Sequence, residues 1–264
     1  MLIRYFFFVS TVFLLAMPVY SVKGQVLVLG GTGQLGSEIV KDLVEAGENV
    51  TVLVRPTSNR DRIKNLNISY VVGDILSHGD MEEIFTSNTY STVIDASGQP
   101  LGGDVTYYEK SQHVISKWAA QGKVGHIILH GATGAGDSAH MMITDNIPEY
   151  QRLSINSKGV AEGILKASGV PYTIIRHLTL LPLEFMESGK ARLTTNQMAV
   201  GAITRDGLAR LTVQCLNNPA CINMTLHAID DDVELSGRYT RMWERFRTVL
   251  KPYVFEARNT TVIE

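Results

Sequence analysis

Residues 25–36, QVLVLGGTGQLG, join a run of apolar residues to a cluster of glycines. The apolar run at 25–30 has the length of one buried strand and ends in glycine. From Gly33 to Ala46 the apolar residues recur with helical spacing, so a helix is predicted there. The stretch therefore predicts a strand, a tight turn and a helix in immediate succession.

The same alternation of apolar runs and helical spacing continues downstream. Further strands are predicted at 49–54, 68–74, 90–98, 124–131 and 171–176. Helices are predicted at about 105–120 and 149–167. Strands that alternate with helices of this length form right-handed βαβ units, which place helices on both faces of a parallel sheet. The predicted class is α/β, with a doubly wound parallel sheet.

Beyond the last of these strands the alternation weakens. Residues 177–200 read as an irregular substrate-side segment, and a helix at about 206–217 with a strand at 222–226 is predicted to frame a small C-terminal lobe. The chain has 264 residues, 45% hydrophobic and 19% charged, so residues 23–264 are predicted to form a single domain with one large core. The formal net charge of −2 gives no basic excess, and nucleic acid is not an expected partner.

An apolar leader precedes this domain. It has a positive end at Arg4, and residues 5–22 are uncharged and almost wholly apolar. The sequence VYS at 19–21 suits a signal peptidase, which predicts cleavage after Ser21. An uncleaved anchor is the alternative, because this run is near the lower length limit for a bilayer span. Residues 1–22 are thus predicted to be a signal peptide or membrane anchor, with an exported, lumenal or membrane-anchored domain; organelle targeting and membrane contact through this segment stay open.

The glycines of the opening stretch predict a dinucleotide site. Gly30, Gly33 and Gly36 fit G-x-x-G-x-x-G, at the point where a strand ends and a helix begins. Glycines permit the tight turn and the close approach of a pyrophosphate, which then lies at the positive end of the helix. The residues predicted to bind the cofactor here are Gly30, Thr32, Gly33, Gln34, Leu35 and Gly36.

The end of the second predicted strand indicates which dinucleotide is bound. An NAD site usually has an acidic residue there, which accepts from the ribose 2′-hydroxyl. This chain has Arg55 instead, with Arg60 and Arg62 close behind. A guanidinium suits a 2′-phosphate. Arg60 and Arg62 read equally well as solvated charges, so Arg55 carries the prediction of NADP(H), with NAD(H) as the alternative.

Four segments resemble the atypical short-chain dehydrogenase/reductases, in their NmrA-like branch with an NAD(P)-binding Rossmann domain. They are VLVLGGTGQLG, VTVLVRPTS, YVVGDILS and KGVAEGILKASGVPYTIIR, and the likeness extends over about residues 25–226. The resemblance implies that Asp74 and Ile75 line the adenine pocket. It places Ala96, Ser97 and Gly98 along the nicotinamide ribose. It makes Lys158 the family lysine, which binds the cofactor and takes part in catalysis.

The chain departs from that family in its proton-donating residues. Active members carry a tyrosine four residues before the lysine, and this chain has Ser154 there. A serine hydroxyl is far too weak an acid to replace a phenol. The family's Ser or Thr after the fifth strand is also shifted, which leaves Thr133 as the nearest hydroxyl. Lys158 and Thr133 are the predicted catalytic residues, although Lys158 could equally bind only the ribose hydroxyls.

Two functions follow from the resemblance. One is an NADPH-dependent oxidoreductase that acts on a small carbonyl, enone or quinone-like substrate, with the proton supplied by water, by Lys158 or by a tyrosine such as Tyr107 or Tyr108. Isoflavone-reductase-like relatives that keep only the lysine indicate that the missing tyrosine does not abolish reduction. The alternative is a non-catalytic NADP(H)-binding sensor or assembly protein of the NmrA-like type.

The cysteines and two strand histidines have structural interpretations. Cys215 and Cys221 could close a small loop in an oxidising compartment, but two reduced, buried thiols are the favoured interpretation. His126 and His130 share one face of a predicted strand, where side chains spread apart. Packing in the core or toward the cofactor is therefore predicted for them, and no metal site is predicted.

Overall fold

The computed structural model describes residues 24–99, 102–141, 147–241, 244 and 261–263. The predicted leader, residues 1–22, lies outside the described residues. No helix in the described part of the chain is long and apolar enough to cross a bilayer.

Short apolar runs form the strands of the described chain, and amphipathic segments form its helices. The strands are β1 (Gln25–Leu29), β2 (Asn49–Val54), β3 (Ser69–Val72), β4 (Tyr90–Asp95), β5 (His126–His130), β6 (Tyr172–Arg176), β7 (Thr179–Leu180), β8 (Arg192–Thr194), β9 (Ala202–Ile203), β10 (Met224–Ile229) and β11 (Thr261–Ile263). The helices are α1 (Gln34–Glu45), α2 (His78–Ser87), α3 (Tyr107–Gln121), α4 (Glu149–Ala167) and α5 (Arg205–Gln214).

Nine of the described strands form one sheet in the order β11-β8-β10-β6-β5-β4-β1-β2-β3. The strands from β3 to β10 in this order are parallel, and β8 and β11 add an antiparallel edge. The central order 3-2-1-4-5-6 is that of the Rossmann fold. The predicted doubly wound parallel sheet is therefore confirmed.

Alternate residues of each central strand enter two separate apolar layers, because side chains of a strand point to opposite faces. On one face Val28 and Ile128 pack with Leu43 of α1 and Leu208 of α5. The other face buries a second set, in which Leu27, Val93 and Ile127 pack with Phe85, Ile115 and Leu165 of α2, α3 and α4. The sheet is thus covered by helices on both faces, and the carboxyl ends of its parallel strands meet along one edge.

The predicted elements begin and end within a few residues of the observed ones. Helix α2 was not predicted; its N-cap is Ser77, whose side chain accepts a hydrogen bond from the backbone N–H of Asp80. The short strands β7, β8, β9 and β11 were not predicted either, and β7 and β8 lie within residues 177–200, which were predicted to be irregular. The late helix and strand are α5 and β10, and they belong to the main layers, since α5 packs beside α1 and β10 pairs with β6. A separate C-terminal lobe stays a prediction.

The favoured interpretation of the cysteines is corrected by the structure. Cys215 ends α5, and a short 3-10 turn at Pro219–Cys221 brings the second cysteine back to it. The two Cα atoms are 5.5 Å apart, which is within the span of a disulfide, and the two residues are joined by one. Both are buried, so the bond fastens the end of α5 to the segment that leads into β10.

Candidate cofactor and active site

The glycine loop between β1 and α1 lies against the carboxyl end of β4. Gly30 has a φ of +76°, and a Cβ there would lie 2.6 Å from the Ala96 carbonyl oxygen. A Cβ on Gly36 would lie 2.2 Å from the carbonyl oxygen of Gly30. Backbone therefore packs on backbone at both positions, and only glycine fits the turn.

Helix α1 begins inside this loop, at Gln34, so it points its positive end at the edge of the sheet. Gly33 precedes it and has no side chain to cap it, while the Gly33 N–H donates to the carbonyl of Gly30 at 2.9 Å. The first turn carries no carboxylate, and its N–H groups have no partner within the helix. This cradle fits a pyrophosphate, with Thr32 in the turn and Gln34 and Leu35 at the start of the helix.

Arg55, Asp74 and Ile75 follow β2 and β3 at the end of the same edge where the adenosine is predicted to lie. Arg55 is exposed, and a tight turn fixes its backbone, because its N–H donates to Ser58 Oγ at 3.0 Å. Arg55 and Asp74 both line a cavity of about 490 Å³, whose far wall is α2. Ile75 is partly buried against the core. The guanidinium of Arg60, by contrast, lies 4.7 Å from the centre of the Tyr70 ring.

Ala96, Ser97 and Gly98 follow β4 at the part of the edge where the nicotinamide ribose is predicted to lie. The Ala96 N–H donates to the Leu29 carbonyl at 3.0 Å, and the Ser97 N–H donates to Asp95 Oδ1 at 2.9 Å. Asp95 is only 5% exposed. Burial raises the pKa of its carboxyl, against the lowering effect of the hydrogen bonds from Ser97 and of the Lys158 charge.

Lys158 reaches this end of the site from α4. Its Nζ donates to the Gly131 carbonyl at the end of β5, at 3.4 Å, and lies 4.7 Å from the centre of the Tyr108 ring. Burial lowers the pKa of Lys158, and the carboxylates of Asp95 and Glu162 oppose that shift. The ammonium group is thus placed among strand ends that face the glycine loop.

Tyr107 and Tyr108 form the first turn of α3, with their rings 5.4 Å apart in an edge-to-face arrangement. Burial raises the pKa of Tyr107 to about 12 and also raises the pKa of Tyr108. The Gln99 backbone and the Ser154 side chain lower the pKa of Tyr108 against the effect of burial. Sequence reasoning named both tyrosines as possible proton donors.

The strand histidines occupy the interior, as predicted. His126 Nε2 contacts Thr173 Oγ1 at 2.8 Å, and His130 Nε2 contacts Thr212 Oγ1 at 3.3 Å. Burial, and then the charge of Lys158, lower the pKa of His130 to about 3. His130 therefore lies close enough to the site for the charge of Lys158 to affect its pKa.

His177 follows β6 and was missed by sequence reasoning, although a polar residue directly after a parallel strand was an available signal. Its pKa is well below the ordinary value, because of burial first and then the charges of Lys158, His130 and Arg205. The buried Thr133 donates its backbone N–H to the His177 carbonyl at 3.1 Å. The predicted catalytic role of Thr133 stays a prediction.

A buried ion pair fastens α4, and with it Lys158, to the sheet. Arg176, 0% exposed, ends β6, and its Nε donates to Glu162 Oε1 at 3.1 Å. Asp137 and Gln197 also contact this guanidinium. Glu162 lies one helical turn after Lys158, so the pair sets the position of α4 against the strand ends. Sequence reasoning missed this pair, whose members are distant in the chain.

The predicted cofactor residues therefore lie along one edge of the sheet. Gly30 contacts Ala96, a Cβ on Gly98 would lie 3.6 Å from the Tyr108 hydroxyl, and Lys158 covers the Tyr108 ring. Ligands of open α/β sheets bind at this edge, where the strand order reverses. The loop therefore fits a dinucleotide pyrophosphate.

Comparisons with known proteins agree with this geometry. The model of a family described as NAD(P)H-binding matches residues 30–219. An isoflavone reductase of Glycine max is 24% identical over an alignment of 267 residues. The alignment covers 89% of this chain and 80% of that protein. An isoflavone reductase homolog of Solanum tuberosum is 25% identical over 161 residues, 58% of this chain and 48% of that protein. The chain thus spans about half or less of the length of some curated relatives that it matches.

Among solved structures, the anaerobillin reductase ChuY of Escherichia coli O157:H7 superposes with a TM-score of 0.70. The two are 19% identical, and the match covers 80% of this chain and 100% of that one. That likeness concerns the fold, while the family match covers the glycine loop, Lys158 and most of the sheet. The chain therefore belongs to the NAD(P)H-binding family of Rossmann-fold proteins, as its resemblance to NAD(P)-binding short-chain dehydrogenase/reductases predicted.

Proposed function

We propose that this protein is an NADPH-dependent oxidoreductase that reduces a small carbonyl, enone or quinone-like compound. The observation that carries the proposal is the convergence of an uncapped, glycine-lined helix start and a partly buried lysine on one edge of the sheet. Relatives whose names describe reductases, among them the isoflavone reductase of Glycine max, support the same reaction class.

The proposed preference for NADPH rests on Arg55. The residue follows β2, its side chain is exposed, and it lines the cavity that also contains Asp74. A guanidinium in this position can form a charge-assisted contact with a 2′-phosphate, whereas a carboxylate would repel one.

The residues along this edge of the sheet have different proposed roles. The loop at 30–36 holds the pyrophosphate, and Ala96 to Gly98 contact the nicotinamide ribose. Lys158, fixed by the Gly131 carbonyl, binds the ribose hydroxyls and places a positive charge beside the reacting carbonyl oxygen, where negative charge develops. The bound cofactor supplies the hydride.

A screen of aldehydes, ketones and quinones for NADPH oxidation tests the proposal. The unmodified protein is expected to turn over at least one class of compound. Lys158→Met, which keeps the side-chain stem, should lower turnover by about 10²-fold or more. Lys166→Met, at an exposed position of the same helix, is the matched control and should keep it.

A sensor or assembly protein that binds NADP(H) without turnover is the second candidate, and Ser154 in place of the family's tyrosine favours it. A sensor has no turnover to lose, and Lys158→Met would then change only the affinity for the cofactor. A screen in which the unmodified protein oxidises no NADPH would contradict the reductase and support the sensor.

We also propose that residues 1–22 direct the domain out of the cytosol, as a cleaved signal or as an anchor. The Cys215–Cys221 disulfide supports this proposal, because disulfides persist mainly in oxidising compartments. An ER-like lumen or another organelle is compatible with both the bond and the cofactor.

A further inference from the structure

Helix α3 is fastened to α4 at the point where Tyr108 meets Lys158. The Glu109 N–H, in the first turn of α3, donates to Ser157 Oγ of α4 at 3.1 Å. N–H groups of a first turn have no partner within their own helix, so this hydroxyl supplies one from the neighbouring helix. Since Ser157 precedes Lys158 and Glu109 follows Tyr108, the bond fixes the two side chains beside each other.

The Tyr108 phenol is enclosed by segments from three parts of the site. Lys158 Nζ lies 4.7 Å from the centre of its ring. The Gln99 backbone and the Ser154 side chain both lower the pKa of its hydroxyl against the effect of burial. A Cβ on Gly98 would lie 3.6 Å from the hydroxyl, so this oxygen faces the strand end that is predicted to contact the nicotinamide ribose.

We infer that Tyr108 is the proton donor of this site, with Lys158 as the charge that activates it. The inference rests on the proposed reductase function. The phenol that the family carries four residues before its lysine is supplied here from α3.

The step balances with the groups already named. The carbonyl carbon of the substrate gains a hydride, the C=O π bond breaks, and the oxygen takes the proton of Tyr108 Oη. The substrate is reduced by two electrons to the alcohol, the cofactor is oxidised, and the Tyr108 phenolate regains a proton from water.

The surroundings of Tyr108 suit a donor. A phenol is protonated at neutral pH, and burial strengthens that preference, so the proton to be given is present. An ammonium group near the ring stabilises the phenolate as it forms. Tyr107 is a natural control, because burial raises its pKa as well, but the ring that Lys158 covers belongs to Tyr108.

The test compares Tyr108→Phe with Tyr107→Phe in the full protein, using the carbonyl compound that the unmodified protein reduces fastest. Tyr108→Phe removes one oxygen and keeps the ring, so the variant should fold. Its Kd for NADPH should change by less than about twofold. We expect its kcat to fall by about 10²-fold or more, with KM little changed, whereas Tyr107→Phe keeps its kcat within about threefold.

A second readout needs neither cofactor nor substrate. Tyrosinate absorbance is followed as the protein is titrated with base, and the Tyr108→Phe difference curve assigns the Tyr108 signal. Lys158→Met should raise the pKa of Tyr108, because it removes the charge that stabilises the phenolate. A Tyr108 signal that is unmoved by Lys158→Met would overturn the inference.

The outcomes separate the two claims. Turnover by the unmodified protein together with a Tyr108→Phe kcat within threefold of it would overturn the inference and leave the reductase standing. No turnover by the unmodified protein would overturn the reductase, and the proton-donor role with it.

Discussion

At the scale of single residues, we propose that Arg55 decides the choice of cofactor. Arg55→Ala should weaken NADPH binding by about 1.5–3 kcal/mol, the usual scale for a hydrogen bond to a charged group, and leave NADH binding almost unchanged. Calorimetric titration with both cofactors measures the difference. Arg60→Ala is the control, because the Arg60 guanidinium lies over the Tyr70 ring. An equal loss for both cofactors in Arg55→Ala would refute the contact with the 2′-phosphate.

At the scale of elements, α1 carries a half-buried carboxyl that weakens the fold at neutral pH. Burial, and then the charges of Glu45 and Glu38 and of two more distant acids, raise the pKa of Asp42 from 3.8 to about 7. The folded state therefore binds this proton more tightly than the unfolded state does. The contribution of this proton to stability is complete below about pH 4. It is lost as the pH rises toward 7, because the folded state must then bury part of an ionised carboxylate.

Asp42→Asn removes this loss. The free energy of unfolding of the variant is compared with that of the unmodified protein at two pH values. The difference should favour the variant by on the order of 1–2 kcal/mol more at pH 8 than at pH 4.5. Urea unfolding at the two pH values measures it. Asp61→Asn serves as the control, because Asp61 is exposed and its pKa is lowered, so its variant should show no such gain. The same stability difference for Asp42→Asn at both pH values would contradict the argument.

At the scale of the whole molecule, the leader and the disulfide make one joint prediction. Protein purified from its native source should have the intact mass of a chain that begins at Val22, after cleavage behind Ser21. Its Cys215 and Cys221 thiols should not react when it is unfolded without reduction. A full-length mass without reactive thiols would indicate the anchor instead. A full-length mass with two reactive thiols would contradict both export and the bond.

The fold of the whole molecule could largely be predicted from the sequence, because each central strand is a short apolar run bounded by polar or glycine-containing segments. The helix α2 escaped prediction, since it is short and its start depends on a single side-chain cap at Ser77. The late strand β10 could be found, but its pairing with β6 could not, because pairing partners are set by the three-dimensional order of the strands.

The site was predictable only where its residues are close in the chain. The glycine loop and the strand-end residues Ala96 to Gly98 follow directly from their places after strands. The meeting of Tyr108 with Lys158 depends on the packing of α3 against α4, and the Arg176–Glu162 pair depends on the placing of α4 against β6. The disulfide was only the less favoured interpretation of the sequence, because the 3-10 turn that returns Cys221 to Cys215 has no clear signal there.

The central claim is that the carboxyl edge of this sheet holds NADP(H), and calorimetric titration of the unmodified protein with NADPH and with NADH tests it most directly. The structure leads us to expect saturable binding of one NADPH per chain, with NADH bound at least about tenfold more weakly, which corresponds to about 1.4 kcal/mol. Equal affinity for the two would contradict the role of Arg55. The absence of saturable binding of either would contradict the cofactor site itself.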